Sequence, residues 1–209
     1  MSRLNKRLFF LSGVINNIMK VLIVDTGCNI PGVEVIDLVE GEDKYDYNGH
    51  GTIVGTLIKQ YSNNDDLELI CCKIVARDGS TLNDKIAQAL LIALSREVDI
   101  VNISLGMPTI TPQIKNLINI LTDKGTKIVV AAGNIRSTYP ALYSKCISVG
   151  SKDINGNVSS FSVGTVYDVL ELGEDITVQI NKRKKPKKYS GSSFAAAIHT
   201  GKLAAKSPK

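Results

Sequence analysis

Apolar residues along this chain come mainly in short unbroken runs, and these alternate with stretches of helical periodicity. The runs are residues 20–25 (Lys-Val-Leu-Ile-Val-Asp), 67–75, 98–104, 127–132 and 145–150. A strand covered on both faces shows no polar alternation, so such runs predict buried strands of a parallel sheet. Between them, Leu82, Ile86, Leu90, Ala93 and Leu94 recur at helical spacing behind Thr81-Leu-Asn-Asp84, which reads as a capping box. Thr111-Pro112 opens a second helix with proline in its favoured first position. Ile114, Leu117, Ile118 and Leu121 form its stripe, and Gly125 stands where a C-terminal glycine belongs. Strands alternating with helices predict an α/β domain with a mainly parallel sheet, in which ligands gather beyond the carboxyl ends of the strands. Residues 176–180 and 188–190 are shorter β-prone pieces that predict a hairpin. The small-residue segment 191–201 predicts a buried helix starting near Ser192.

Length and charge narrow this picture. At 209 residues, 44% apolar and 22% charged, the chain has the make-up of one ordinary globular domain. We read residues 1–18 as a poorly ordered extension and 19–209 as the domain. The net charge is +5, but Lys182, Arg183, Lys184, Lys185, Lys187 and Lys188 hold six of the positive charges. Without them 19 basic residues face 20 acidic ones, a net of −1. A nucleic-acid surface covering a whole face is thereby disfavoured. The bland reading of the basic run is a solvated hairpin tip; the sharper one is an electrostatic guide for acidic substrates.

No stretch approaches the ~20 uninterrupted apolar residues of a membrane-spanning helix. Arg3, Lys6, Arg7 and residues 8–11 look faintly like a signal peptide, but Ser12, Gly13, Asn16 and Asn17 interrupt it and no clear cleavage site follows. Cys28, Cys71, Cys72 and Cys146 match no zinc or redox spacing. They read as reduced, packed thiols, which fits a cytoplasmic protein.

Three glycine-flanked segments carry reactive side chains: Asp25-Thr26-Gly27, Gly49-His50-Gly51-Thr52 and Gly191-Ser192-Ser193. A nucleophilic hydroxyl needs a base to take its proton, and that base needs a carboxylate to orient it. Aspartate, histidine and serine supply these parts. A fourth segment, residues 129–134, ends in Gly133-Asn134, whose amide can donate to a developing oxyanion. Taken singly, Asp25 reads as a loop cap, Ser193 as a helix cap, Asn134 as a turn residue, and His199 as a packed histidine of the terminal helix.

As an ordered set these segments resemble the subtilisin-like serine proteases, the subtilase or peptidase S8 family. Val24-Asp25-Thr26-Gly27, His50-Gly51-Thr52 and Gly191-Ser192-Ser193-Phe194-Ala195 stand where the family has its aspartate, histidine and serine motifs. Asn102-Ile-Ser104-Leu105-Gly106, Ala132-Gly133-Asn134, Tyr139-Pro140-Ala141 and Ser160-Phe161-Ser162 follow the family order. The resemblance implies a three-layer α/β/α fold with a hairpin before the nucleophile helix, and a serine endopeptidase. Its triad would be Asp25, His50 and Ser193, with Asn134 and the Ser193 N–H as oxyanion hole. Ser104, Leu105 and Gly106 would line the substrate.

Four departures stand out: Ser192 for the family's threonine, Phe194 for methionine, Ala197 for proline, and Glu171-Leu172-Gly173 for Ala-Pro-Gly. Phe194 is expected to narrow the leaving-group side. Few residues precede Asp25 and only 16 follow Ser193, which reads as a minimal form without a pro-domain. A partner protein or oligomer is one way to cover its C-terminal side. The resemblance allows structural calcium, but no carboxylate spacing matches a calcium loop. The substrate is a peptide or protein, and the readout extends to the maturation of a specific peptide. The rival reading is a catalytically weak binding or scaffold protein on the same fold; a nucleic-acid module built on the basic run is the least favoured.

Overall fold

The computed structural model describes residues 18–180 and 185–205. Most of the expected extension, and Lys182, Arg183 and Lys184 of the basic run, lie outside the described residues. Each expected run forms a strand: β1 (Met19–Asp25), β3 (Leu67–Lys73), β4 (Ile100–Ile103), β5 (Lys127–Ala131) and β6 (Ile147–Lys152). Two short strands, β2 (Glu34–Asp37) and β7 (Val169–Leu172), complete a sheet ordered β2-β3-β1-β4-β5-β6-β7, with every pairing parallel. The order reverses direction at β1, which pairs with β3 on one side and β4 on the other. Such a reversal opens a crevice at the carboxyl ends of the strands.

Helices cover both faces. Successive side chains of β1 point to opposite sides. Leu22 and Val24 join the core under α2 (Asn83–Arg96) and α3 (Pro112–Asp123). Val21 and Ile23 join the one under α1 (His50–Ser62) and α4 (Ser192–Leu203). The three-layer α/β/α architecture follows. Fully buried residues such as Leu22, Ile23 and Ile70 each contribute about 1.5–3 kcal/mol by leaving water. Cys71 and Cys72 divide between the two cores in the same way, and all four cysteines are buried and reduced.

Local signals held unevenly. Thr111 caps α3, accepting from Ile114 N at 3.3 Å, and Gly125 has the left-handed φ of 96° expected just past its end. Thr81 does not cap α2. Leu82 occupies the N-cap, and the Thr81 hydroxyl donates to Ile74 O at 2.6 Å, tying the loop back to the end of β3. The predicted hairpin is present as β8 (Ile176–Val178) paired antiparallel with β9 (Lys187–Tyr189).

Candidate active site

Asp25 is the last residue of β1, at the crevice made by the strand reversal, and is fully buried. His50 is the first residue of α1. Its Nδ1 lies 2.8 Å from Asp25 Oδ1, which also accepts from Thr26 N at 2.7 Å. The other carboxylate oxygen, Oδ2, is buried with no hydrogen-bond partner among the described residues. A glycine must follow His50, because a Cβ on Gly51 would collide with Gly27 O and stand 3.1 Å from the Asp25 carboxylate.

Asp46 holds this junction together. Its Oδ1 accepts from the Thr26 hydroxyl at 2.9 Å and Gly49 N at 2.7 Å, and its Oδ2 from Thr52 N at 2.9 Å and the Thr52 hydroxyl at 2.6 Å. The Thr26 hydroxyl in turn accepts from Gly51 N at 2.9 Å. Strand end, preceding loop and helix start are thus one hydrogen-bonded unit. Lys73, the register partner of Asp25 on β3, is buried as well. Its ammonium donates to Glu42 at 2.9 Å and to Asp43 O at 2.6 Å, which anchors the loop leading to Asp46.

Burial is the largest influence on the His50 imidazole and opposes its protonation. The charge and hydrogen bond of Asp25, helped by the charge of Asp46, outweigh it and raise the His50 pKa above its usual value. Cys28 follows the Asp25 motif but is inert. Burial pushes its thiol up to about 11.

Ser193 is the second residue of α4. Its N–H lies in the first helical turn, where backbone donors lack intrahelical acceptors. Its hydroxyl donates to Ser104 O at 3.3 Å. The structure therefore joins Asp25 to His50 and Ser193 to Ser104, and it does not show a Ser193–His50 hydrogen bond. The aromatic ring of Phe194 connects the two halves. It is buried, with its centroid 5.4 Å from the His50 ring and 5.8 Å from the Tyr189 ring. The ring thus packs against the imidazole of His50.

Asn134 follows β5. Its Oδ1 accepts from Ser192 N at 3.0 Å, while the Ser192 hydroxyl accepts from Gly133 N at 3.2 Å. Because Ser192 N is a donor, the amide must present its oxygen there, which leaves the NH₂ group free to donate elsewhere. The strand expected through Ser104 ends at Ile103; Ser104, Leu105 and Gly106 lie beyond the sheet, before a bridge between Met107 and Tyr139. His199 is half-buried on α4 beside Glu171 and Lys202 and takes no part in the site. Glu171, the departure noted above, is buried and bound by Lys202 at 2.7 Å. Among the described residues no group of three His, Cys, Asp or Glu side chains could hold a metal ion.

Sequence reasoning missed Asp46, Lys73 and the Asn102–Thr200 bond described below. Only Asp46 had a readable signal, an acidic residue shortly before a helix start.

The profile of the subtilase family matches residues 19–207. The chain belongs to the subtilase family. Two relatives are the "Major intracellular serine protease" of Bacillus subtilis (strain 168) and the "Intracellular serine protease" of Paenibacillus polymyxa, each 30% identical. The matches cover 92% and 89% of this chain, and 69% and 65% of those proteins. Among solved structures, a mutant of the protease domain of PatA superposes with a TM-score of 0.74 at 22% identity, over 88% of this chain and 76% of that one, which establishes likeness of fold. As a subtilase with serine-protease relatives, the chain is a serine-type endopeptidase acting on peptides or proteins.

Proposed function

We propose that this subtilase cleaves peptide bonds with Ser193 as nucleophile, His50 as general base and acid, and Asp25 as the group that orients His50. Rotation of the Ser193 side chain away from Ser104 O would bring its hydroxyl to the free Nε2 of His50. The hydroxyl attacks the peptide carbonyl as His50 takes its proton. The Asn134 NH₂ group and the Ser193 N–H hold the oxyanion, and His50 then protonates the leaving amine. Water releases the acyl group by the same steps. Ser104, Leu105 and Gly106 pair with an extended substrate. The observation that carries this reading is the 2.8 Å Asp25–His50 bond at the sheet crevice.

Residues 19–209 act as one peptidase domain in this reading, and its place is the cytoplasm. The intracellular relatives support that location, and no helix of the described residues is long and apolar enough to cross a membrane. A fluorophosphonate probe tests the assignment. It is expected to label the wild-type chain on Ser193, and Ser193→Ala should lose labelling and about 10⁶ of turnover. Labelling elsewhere, or undiminished cleavage by Ser193→Ala, overturns the assignment. A folded chain that binds peptides without labelling at all supports the scaffold reading instead.

A further inference from the structure

Beyond Gly106, where the proposed substrate segment ends, the surface opens into a cavity of about 320 Å³ lined by Gly106, Pro108, Arg136, Ser137, Thr138 and Leu142. We propose that this cavity is a subsite for an acidic side chain of glutamate size, and that Arg136 reads its carboxylate. The inference rests on the catalytic reading above only in taking residues 104–106 as the path of the substrate.

Arg136 is the one charged group among these lining residues. Its guanidinium is exposed and makes no ion pair with any described carboxylate. The residues on either side of Arg136, in contrast, are held. Ile135 N donates to Phe161 O at 2.7 Å, and the Ser137 hydroxyl accepts from Val166 N at 2.7 Å. Gly133, with a φ of 102°, makes the turn that places the Arg136 carbonyl against it, where a Cβ would collide. A cation flanked by held residues, with no protein counter-ion to displace, loses little on meeting a ligand carboxylate. The walls suit the rest of the side chain. Pro108 and Leu142 are apolar and would cover the methylene stem, with the carboxylate reaching Arg136. Thr138, in close contact with Gly106, leaves that side neutral and polar. A lysine or arginine side chain would meet Arg136 with like charge and no described carboxylate among the lining residues.

The test compares otherwise identical peptides carrying Glu, Gln or Lys at each position flanking the cut. At one such position the wild-type chain is expected to favour Glu over Gln in kcat/KM by about three- to tenfold at low salt. The ratio should shrink in 0.5 M salt, approach one in Arg136→Gln, and turn toward Lys in Arg136→Glu. Peptide affinities measured on Ser193→Ala give the same comparison without catalysis, so they read the subsite even if the proposed triad is wrong. A Glu:Gln ratio of one at every position in both assays overturns the subsite. So does a preference that survives intact in Arg136→Gln. Fluorophosphonate labelling of Ser193 in the same samples shows separately whether the catalytic assignment stands.

Discussion

His50 and His199 are the two histidines of the chain, and their surroundings push them in opposite directions. At His50 burial disfavours the imidazolium, but Asp25 and Asp46 more than compensate. At His199 burial dominates; Glu171 offsets part of it, while Lys202 and Lys127 add to it, so its pKa falls. Following both imidazoles by NMR should give one midpoint above the usual 6.5 and one below. Asp25→Asn should lower the His50 midpoint and leave that of His199 in place. Equal midpoints near 6.5 would show that Asp25 does not hold His50 as described. The signs carry over to function and stability. A general base must be neutral, so labelling of Ser193 should rise with pH through the elevated His50 value. The Asp25–His50 pair stabilises the fold fully below the unfolded imidazole pKa, and that contribution is lost as pH rises through the folded one. The His199 contribution is present above the unfolded pKa and is lost as pH falls through the depressed folded value. At this scale Asp25, His50, Ser193 and Asn134 were legible because each sits in a short motif whose glycines serve close packing or tight turns. Asp46 carried only a weaker sign, an acidic residue ahead of a helix start, which does not tell which of several loop carboxylates will accept four hydrogen bonds.

Helix α4 illustrates how small residues do work that a hydrophobicity pattern does not show. Ala195, Ala196 and Ala197 are fully buried, and a Cβ on Gly173 would come within 2.8 Å of the Ala195 methyl. The helix therefore lies close to the end of β7. On its other side, a Cβ on Gly201 would meet Ile58 O and the Tyr61 Cβ of α1 at 2.8 Å each. Gly201→Ala would raise helix propensity by up to about 1 kcal/mol, yet the clash with α1 backbone should win. A net loss of about 1–3 kcal/mol is expected from overpacking, read by chemical denaturation. A gain in stability would show that the two helices can separate freely. The composition of residues 191–201 announced a buried helix, but not its partner, because which helix lies against it is decided by the sheet order. The same limit explains the two missed strands. β2 and β7 are four residues each at the sheet edges, and half-exposed edges need no long apolar run. Thr81 shows the converse: a capping signature lost to a tertiary bond with Ile74 O.

Across the whole molecule, a bond between residues 98 positions apart ties α4 to the sheet beside the site. The Thr200 hydroxyl, on α4, donates to Asn102 Oδ1 on β4 at 2.9 Å, and Asn102 Nδ2 donates to the Ser104 hydroxyl at 3.1 Å. Asn102 and Thr200 are fully buried, and Ser104 is nearly so. The chain of bonds thus runs from α4 through the sheet to the first residue of the proposed substrate segment, whose carbonyl accepts from the Ser193 hydroxyl. Thr200 touches no substrate, so its role would be to position Ser104. Thr200→Val keeps the shape of the side chain but leaves Asn102 Oδ1 buried without a donor, which should cost about 1–3 kcal/mol. A merely structural role would end there. If the bond also fixes Ser104, the variant should raise KM for peptides on the order of fivefold while kcat changes less, the mark of weakened ground-state binding. Thr200→Ser restores the hydroxyl and should recover KM. A Thr200→Val enzyme that is less stable but has the wild-type KM would confine the bond to holding the fold. A KM that rises equally in Thr200→Ser would assign the effect to the lost methyl group rather than to the hydrogen bond.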